Sequence, residues 1–284
     1  MLNKNKIKKI IYLGPQGTYC ELAKNKFCAE YGLENCEQNY LMSIKSIIEA
    51  VDNMDDCAAV LPIENSIEGN VRETTDNLLR TKDSELKICA ETIIDINHCL
   101  ISKAKSISSI KKIISHPQAL AQCQNFLHNI FSSDIEMIEC GSTSKAVQAL
   151  LGLDNSYAAI ANEKAAQNAG LNILYKNIND EPDNQTRFIL ISRCPTCSTG
   201  EDKTSMAFGT KNESGSLIRV LDEFDKFGIN LTYISSRPSK KNLGEYVFFV
   251  DFEGHIDDEI IKTALNSIKK NTIFIKILGS YTKK

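Results

Sequence analysis

The chain has 284 residues, 42% of them hydrophobic, enough to bury a sizeable core and to form two domains rather than one. Its 36 acidic and 33 basic side chains leave a formal net charge of −3 with no long block of one sign, which argues against nucleic acid as the main partner. The basic opening MLNKNKIKK leads only into the short apolar run IIYL, too short for a secretory core or a membrane span, so a cytoplasmic protein with no membrane partner is expected.

Up to about residue 193, short apolar runs alternate with helical periods. KKIIYLG precedes TYCELAKNKFCAEYG, CAAVLPIEN precedes VRETTDNLLR, KKIISHP precedes QALAQCQNFLHNIF, DIEMIEC precedes STSKAVQALLGLD, and YAAIANE precedes KAAQNAG. The repeat predicts an α/β domain with largely parallel sheets, whose ligands sit where strands end and helices begin.

The polar stretch CPTCSTGEDK reads as a linker. Its pair Cys194 and Cys197 has metal-ligand spacing but no second CxxC and no nearby His, and no helix follows it as in a redox motif, so no metal or redox site is expected. The ten cysteines otherwise scatter singly through apolar segments and read as buried reduced thiols. Beyond the linker, TSMAFGT, INLTYISSRP, EYVFFVDFEG and TIFIKILGSY read as strands. SLIRVLDEFDKFG, with Leu217, Val220, Leu221, Phe224 and Phe227 on one face, and DDEIIKTALNSIKKN read as helices. This order is a ferredoxin-like βαββαβ unit, expected to be small and separate.

Polar residues gather at the strand-to-helix junctions of the first domain. In GPQGTYCELA, two glycines and Pro15 shape a turn and Thr18 can cap the next helix, whose free N–H groups would attract a carboxylate. PIENSIEGNVRETTDNLL sends Glu64, Asn65 and Ser66 off one strand together. SHPQALAQC and GSTSKAVQAL end strands with small polar residues; His116 is a weaker candidate for a general acid, since a His before Pro at a strand end is usually structural. Residues 184–188, NQTRF, set an amide, a hydroxyl and a guanidinium at the mouth of the buried run ILIS, where an arginine charge needs an anionic partner.

In GPQGTY, PIENSIEGNVRETTD, SHPQALAQC, NQTRF, GSL, INLTYISSRP and YVFFVDFEGH, taken in this order from about Ile10 to Tyr281, the chain resembles prephenate dehydratases, which make phenylpyruvate in phenylalanine biosynthesis. The resemblance implies a two-lobed catalytic domain over residues 8–193, similar to periplasmic binding proteins, and an ACT regulatory domain over residues 204–282. Only about ten residues precede the first motif, so a monofunctional form without a chorismate mutase segment is expected. A homodimer or homotetramer is implied, with no cofactor, because aromatisation drives the loss of water and carbon dioxide.

By the resemblance, Thr186 is the essential hydroxyl that donates to the departing ring hydroxyl, as part of a polar network because a free threonine is a poor acid. Arg187 is expected to fork onto a substrate carboxylate. On a regular strand the two would face opposite ways, so both can line a cleft only if the strand bends there. Asn65 and Ser66 are candidates for positioning, and Glu64 is an alternative acid, protonated or one shell removed from a dianion it would otherwise repel. Thr18, Ser142, Thr143, Gln118 and Phe188 are candidates for binding the substrate. Three positions depart from the family: Cys20 stands where serine is usual, Ser144 where alanine is common, and Ser235 where the effector motif has glutamate.

Phenylalanine is expected at an interface of two ACT domains, against Gly215, Ser216 and Leu217 from one motif and Asn230, Leu231, Ser235, Ser236, Arg237 and Pro238 from another. Two other readings remain open at this point: an arogenate dehydratase, and a non-enzymatic sensor of small anions, which would need no particular hydroxyl at Thr186.

Overall fold

The computed structural model describes residues 4–81, 85–131, 135–239 and 245–284. The chain opens with β1 (Lys9–Leu13), α1 (Tyr19–Tyr31), β2 (Glu37–Leu41), α2 (Ile44–Asp52), β3 (Cys57–Asn65), the short β4 (Gly69–Asn70), α3 (Arg72–Arg80) and β5 (Lys87–Asp95). It continues with β6 (Cys99–Ser102), β7 (Lys112–Ser115), α4 (Pro117–Ala121), α5 (Gln124–Ile130), β8 (Glu136–Glu139), α6 (Thr143–Leu150), β9 (Tyr157–Ala161), α7 (Glu163–Ala169) and β10 (Asn172–Tyr175). Then come β11 (Gln185–Ser192), β12 (Asp202–Gly209), α8 (Ser216–Lys226), β13 (Leu231–Pro238), β14 (Tyr246–Glu253), α9 (Glu259–Ile268) and β15 (Phe274–Thr282).

Three sheets organise these elements: β2-β1-β3-β11-β5 with β4 beside β3, β10-β6-β9-β7-β8, and β13-β14-β12-β15. The chain therefore leaves the first lobe after β5, builds the second, and returns through β11. The expected parallel pairing holds for β1 with β2 and β3, and for β7 with β8 and β9. The sheets are mixed because β11 runs antiparallel between β3 and β5, and β6 antiparallel to β9. The run QALAQCQNFLHNIF is two helices rather than one, broken at Gln122 and Cys123.

The two crossing segments are bonded to each other. Ile96 N donates to Asn184 O at 2.7 Å, Asn179 Nδ2 to Ile96 O at 2.6 Å, and His98 N to Asn179 Oδ1 at 2.6 Å. Each lobe carries a core on both faces of its sheet: Phe27, Tyr12 and Phe188 lie under α1, while Leu100, Ile113 and Ile160 pack in the second lobe against Leu120 and Leu127.

The C-terminal sheet has βαββαβ order but is not separate. Its helices cover one face, where Phe208, Phe224 and Phe252 pack with Ile261 and Ile268. The other face carries Val247, Phe249, Leu278 and Tyr281, and these share one core with Ile44, Leu61, Leu78, Ile88 and Ile189 of the first lobe. An apolar sheet face must be buried against something, and here the first lobe supplies the cover. The linker is fastened too: Cys194 is buried, Thr196 Oγ1 donates to Ser280 O at 2.6 Å, and Asp202 accepts from Thr199 N and Gly200 N. Of the linker's two cysteines, Cys194 lies inside and Cys197 is exposed.

Candidate active site

A cleft of about 420 Å³ opens between the first two sheets. Three junctions build it. After β1 the chain turns through Gly14, where a Cβ would come 2.2 Å from the Tyr40 ring, and Gly17, which has φ +82. Thr18 then caps α1: its Oγ1 accepts from Glu21 N at 3.4 Å and donates to Leu13 O and Pro15 O. On the opposite wall Ser142 caps α6 by accepting from Lys145 N at 3.1 Å. Both helix starts thus bring positive dipole ends to the cleft. Asn162 joins the walls, donating from Nδ2 to Gly17 O at 2.7 Å while its Oδ1 caps α7.

Thr186 enters the cleft from β11, directly opposite Asn65 on β3. Asn65 Nδ2 lies within hydrogen-bond distance of Thr186 Oγ1 (2.9 Å), Asn184 Oδ1 (2.8 Å) and Gln185 O (3.0 Å). Asn65 Oδ1 accepts from Ile67 N and Glu68 N, so the amide is held at both ends. The Thr186 hydroxyl accepts from Asn65, and its own proton has no acceptor among the described residues.

The network extends beyond the residues expected from sequence. Asn184 Nδ2 donates to Gln122 Oε1 at 3.0 Å, and His98 Nε2 lies 3.3 Å from the same oxygen. That oxygen only accepts, so His98 carries its proton on Nε2. Burial lowers the His98 pKa, with the Gln122 bond opposing, and keeps the ring neutral. Tyr19 stands edge-on to His98 and donates to Asn97 O; burial pushes its pKa far above the ordinary phenol value. Burial likewise pushes the Cys20 thiol up to about 12, which excludes it as a nucleophile at neutral pH.

Of the expected substrate contacts, Thr18, Gln118, Ser142 and Thr143 line the cleft beside Asn65 and Thr186. His116 also lines it, with Nδ1 accepting from Gln118 N at 3.3 Å as the cap of α4. Ser144 is buried, away from the lining.

Four expectations are corrected. Arg187 does not reach the cleft: its side chain leaves the opposite face of β11, where Nε meets Glu64 Oε2 at 3.0 Å and Nη1 meets Glu91 and Asp251. The anion awaiting this guanidinium is the protein's own carboxylates. Glu64 faces the same way, so it is no acid for the cleft. The register between β11 and β3 does shift, but between Arg187 and Phe188, one residue too late to turn Arg187 inward. Ser66 fastens the β3 exit to β11, accepting from Gln185 N at 2.9 Å, and Phe188 is buried in the core under α1.

The cleft's permanent charge comes from Lys145, among lining residues that include no carboxylate. Sequence reasoning passed over it, along with His98, Gln122 and Asn184. Two signals were available: Gln118 and Gln122 are four apart on one helical face, and Asn184 opens NQTRF itself.

The expected effector residues divide along the C-terminal sheet. Gly215, with φ +76, precedes α8 at the end of the sheet where Gly209, Val247 and Arg237 pair across three strands. Ser216 is buried with Oγ accepting from Arg219, and Leu217 joins the helix core. Asn230 and Leu231 lie at the other end, level with Phe252 and Thr204. Along edge strand β13, Ser236 and Pro238 are exposed, whereas Ser235 accepts from Asn70 Nδ2 at 3.1 Å and Arg237 pairs with Asp76 at 2.5 Å.

Comparison with known proteins adds two family matches, "Prephenate dehydratase" over residues 10–196 and "ACT domain" over residues 204–270. A prephenate dehydratase of Methanocaldococcus jannaschii is 42% identical, the alignment covering 96% of this chain and 98% of that protein. A bifunctional chorismate mutase/prephenate dehydratase of Aquifex aeolicus is also 42% identical, over 99% of this chain and 75% of that protein. The crystal structure of a prephenate dehydratase from Arthrobacter aurescens in complex with L-Phe superposes with a TM-score of 0.87 at 33% identity, covering 97% of this chain and 90% of that one.

Proposed function

The chain belongs to the prephenate dehydratase family, and from that membership we infer how its cleft converts prephenate to phenylpyruvate. Prephenate is a dianion with one carboxylate on the ring, one on the pyruvyl side chain, and a ring hydroxyl para to the first. One proton joins that hydroxyl as its C–O bond breaks and water leaves. The electron pair of the bond to the ring carboxylate moves into the ring as carbon dioxide departs. The dianion and one proton thus become phenylpyruvate monoanion, carbon dioxide and water.

Thr186 donates to the departing hydroxyl. The observation that carries this role is that Thr186 Oγ1 accepts from Asn65 while its own proton is left for a ligand. The chain of Asn65, Asn184, Gln122 and His98 orients the hydroxyl and supports negative charge on its oxygen. Lys145 and the capped starts of α1 and α6 receive the carboxylates, with Ser142, Thr143, Thr18 and Gln118 as polar neighbours.

Residues 8–193 are the catalytic unit and residues 204–282 the ACT unit, with phenylalanine as effector, a reading supported by the L-Phe complex of the Arthrobacter relative. Gly215 and Asn230 stand at opposite ends of one sheet, so an effector touching both motifs needs a second copy of the chain, which favours a homodimer or homotetramer. No described helix is long and apolar enough to cross a membrane. Incubation of the purified protein with prephenate, with phenylpyruvate and carbon dioxide measured together, tests the function. Equimolar formation of both supports it, and tight binding of prephenate without turnover would leave a sensor instead.

A further inference from the structure

Two residues of β3 and two of β11 form adjacent rungs. Thr186 opposes Asn65, and Arg187 opposes Glu64. Strand alternation sends the first pair into the cleft and the second to the other face, towards the C-terminal sheet. There the Arg187 guanidinium joins three elements. Nε bonds Glu64 of β3, and Nη1 bonds Glu91 of β5 at 3.1 Å. Asp251 of β14 lies 2.7 Å from Nη1, as an ion pair whose angle is not that of a hydrogen bond.

The cluster is closed except at Glu64, whose side chain is 33% exposed. Side-chain exposures are 10% for Arg187, 1% for Glu91 and 6% for Asp251. Lys203 reaches Glu91 Oε1 at 2.7 Å, Ser205 donates to Asp251 Oδ1 at 2.6 Å, and the Tyr233 ring lies 5.6 Å from the guanidinium carbon. Burial opposes the charge on Arg187, but Asp251 and the neighbouring acids outweigh it and hold the guanidinium protonated. Removing one member of such a buried set leaves the others uncompensated, so the set moves together or breaks.

We propose that Arg187 is a positioning residue that ties Asp251 of the ACT sheet to the Thr186–Asn65 pair, so that a displacement of that sheet is delivered to the reacting hydroxyl through one peptide unit. The proposal rests on the assignment of Thr186 as the donor. A shift of β14 pulls Asp251, hence Arg187, and the neighbouring Thr186 turns with the strand. Arg187 serves here because its fork spans carboxylates from three strands, which a lysine cannot do.

Asp251→Asn and Glu64→Gln keep size and lie outside the cleft. Each is expected to lower kcat on prephenate roughly tenfold with KM nearly unchanged, the scale at which network substitutions modulate coupling. Arg187→Lys should lose at least as much, and adding Asp251→Asn to it should cost little more. Calorimetry should find phenylalanine bound by Asp251→Asn as by the parent, while the inhibition it causes is reduced. Hydrogen exchange over residues 62–66 and 184–188, faster in Asp251→Asn than in the parent, reads the tie without turnover, so a failure of the enzymatic assignment remains distinguishable. Parent-like kcat and parent-like exchange in both folded single variants would overturn it. Should Asp251→Asn not fold, Glu64→Gln decides by the same two readouts.

Discussion

Gly279 of β15 lies so close to the main chain of Ile88 on β5 that an added Cβ would stand 2.1 Å from the Ile88 carbonyl oxygen. Backbone cannot yield as a flexible side chain does, so Gly279→Ala must part the ACT sheet from the first lobe. The expected loss is about 3 kcal/mol in urea unfolding, the upper range for an overpacked site. Gly152→Ala, whose new Cβ would meet only an ordinary contact at 3.8 Å, should stay within about 0.5 kcal/mol of the parent.

Thr186→Ala removes one hydrogen-bond donor from the cleft. A fall of about 10²- to 10³-fold in kcat on prephenate is expected, with the circular dichroism spectrum retained. Thr186→Ser keeps the hydroxyl and should recover part of that loss. A Thr186→Ala variant running at the parent rate would remove Thr186 from the chemistry.

Lys145→Gln takes the permanent charge from the cleft wall and leaves the Thr186 network untouched. KM for prephenate should rise roughly tenfold with kcat little changed, the signature of binding shared by ground and transition states. Raising ionic strength should increase KM of the parent more than that of the variant. Running arogenate beside prephenate measures how far the cleft distinguishes an amino group from the keto oxygen.

His98 is 3% exposed, and burial lowers its pKa. Below about pH 6.5 the unfolded chain takes up a proton that the folded chain refuses, so stability falls as pH drops through that value towards the folded pKa. Unfolding at pH 7.5 and pH 5.5 should therefore differ more in the parent than in His98→Gln. An equal difference in both would place His98 outside the linkage.

By the resemblance, Ser235 stands where the effector motif has glutamate, and its hydroxyl accepts from Asn70 of the first lobe. If the missing carboxylate holds the ammonium group of phenylalanine, Ser235→Glu should tighten binding by about 1 to 3 kcal/mol, the usual scale for hydrogen bonds to charged groups. Equal affinities by calorimetry would show that the substitution is neutral.

The fold was legible wherever one period dominated. The Val220 and Phe224 stripe of α8 and the junctions at Thr18, Asn65 and Ser142 follow from spacing and turn chemistry alone. What escaped was long-range. Nothing local in KICAETIID says that Glu91 would be buried beneath a second domain, so the destination of Arg187 could not be read from NQTRF. The expected separation of the C-terminal unit failed for the same reason. A sheet face reads as apolar in sequence, but what covers it is settled by tertiary packing.

In the first sheet β3 and β5 are not neighbours: β11 occupies the place between them. Both flanking strands are made more than ninety residues before Ser192, with the whole second lobe synthesised in the interval. A nascent chain halted before that point therefore holds two open strand edges around an empty slot, the template that invites pairing with a stranger. The strand that fills the slot is the one bearing Thr186, so closing the lobe and equipping it for chemistry are a single event, and no chain halted before β11 carries a finished site.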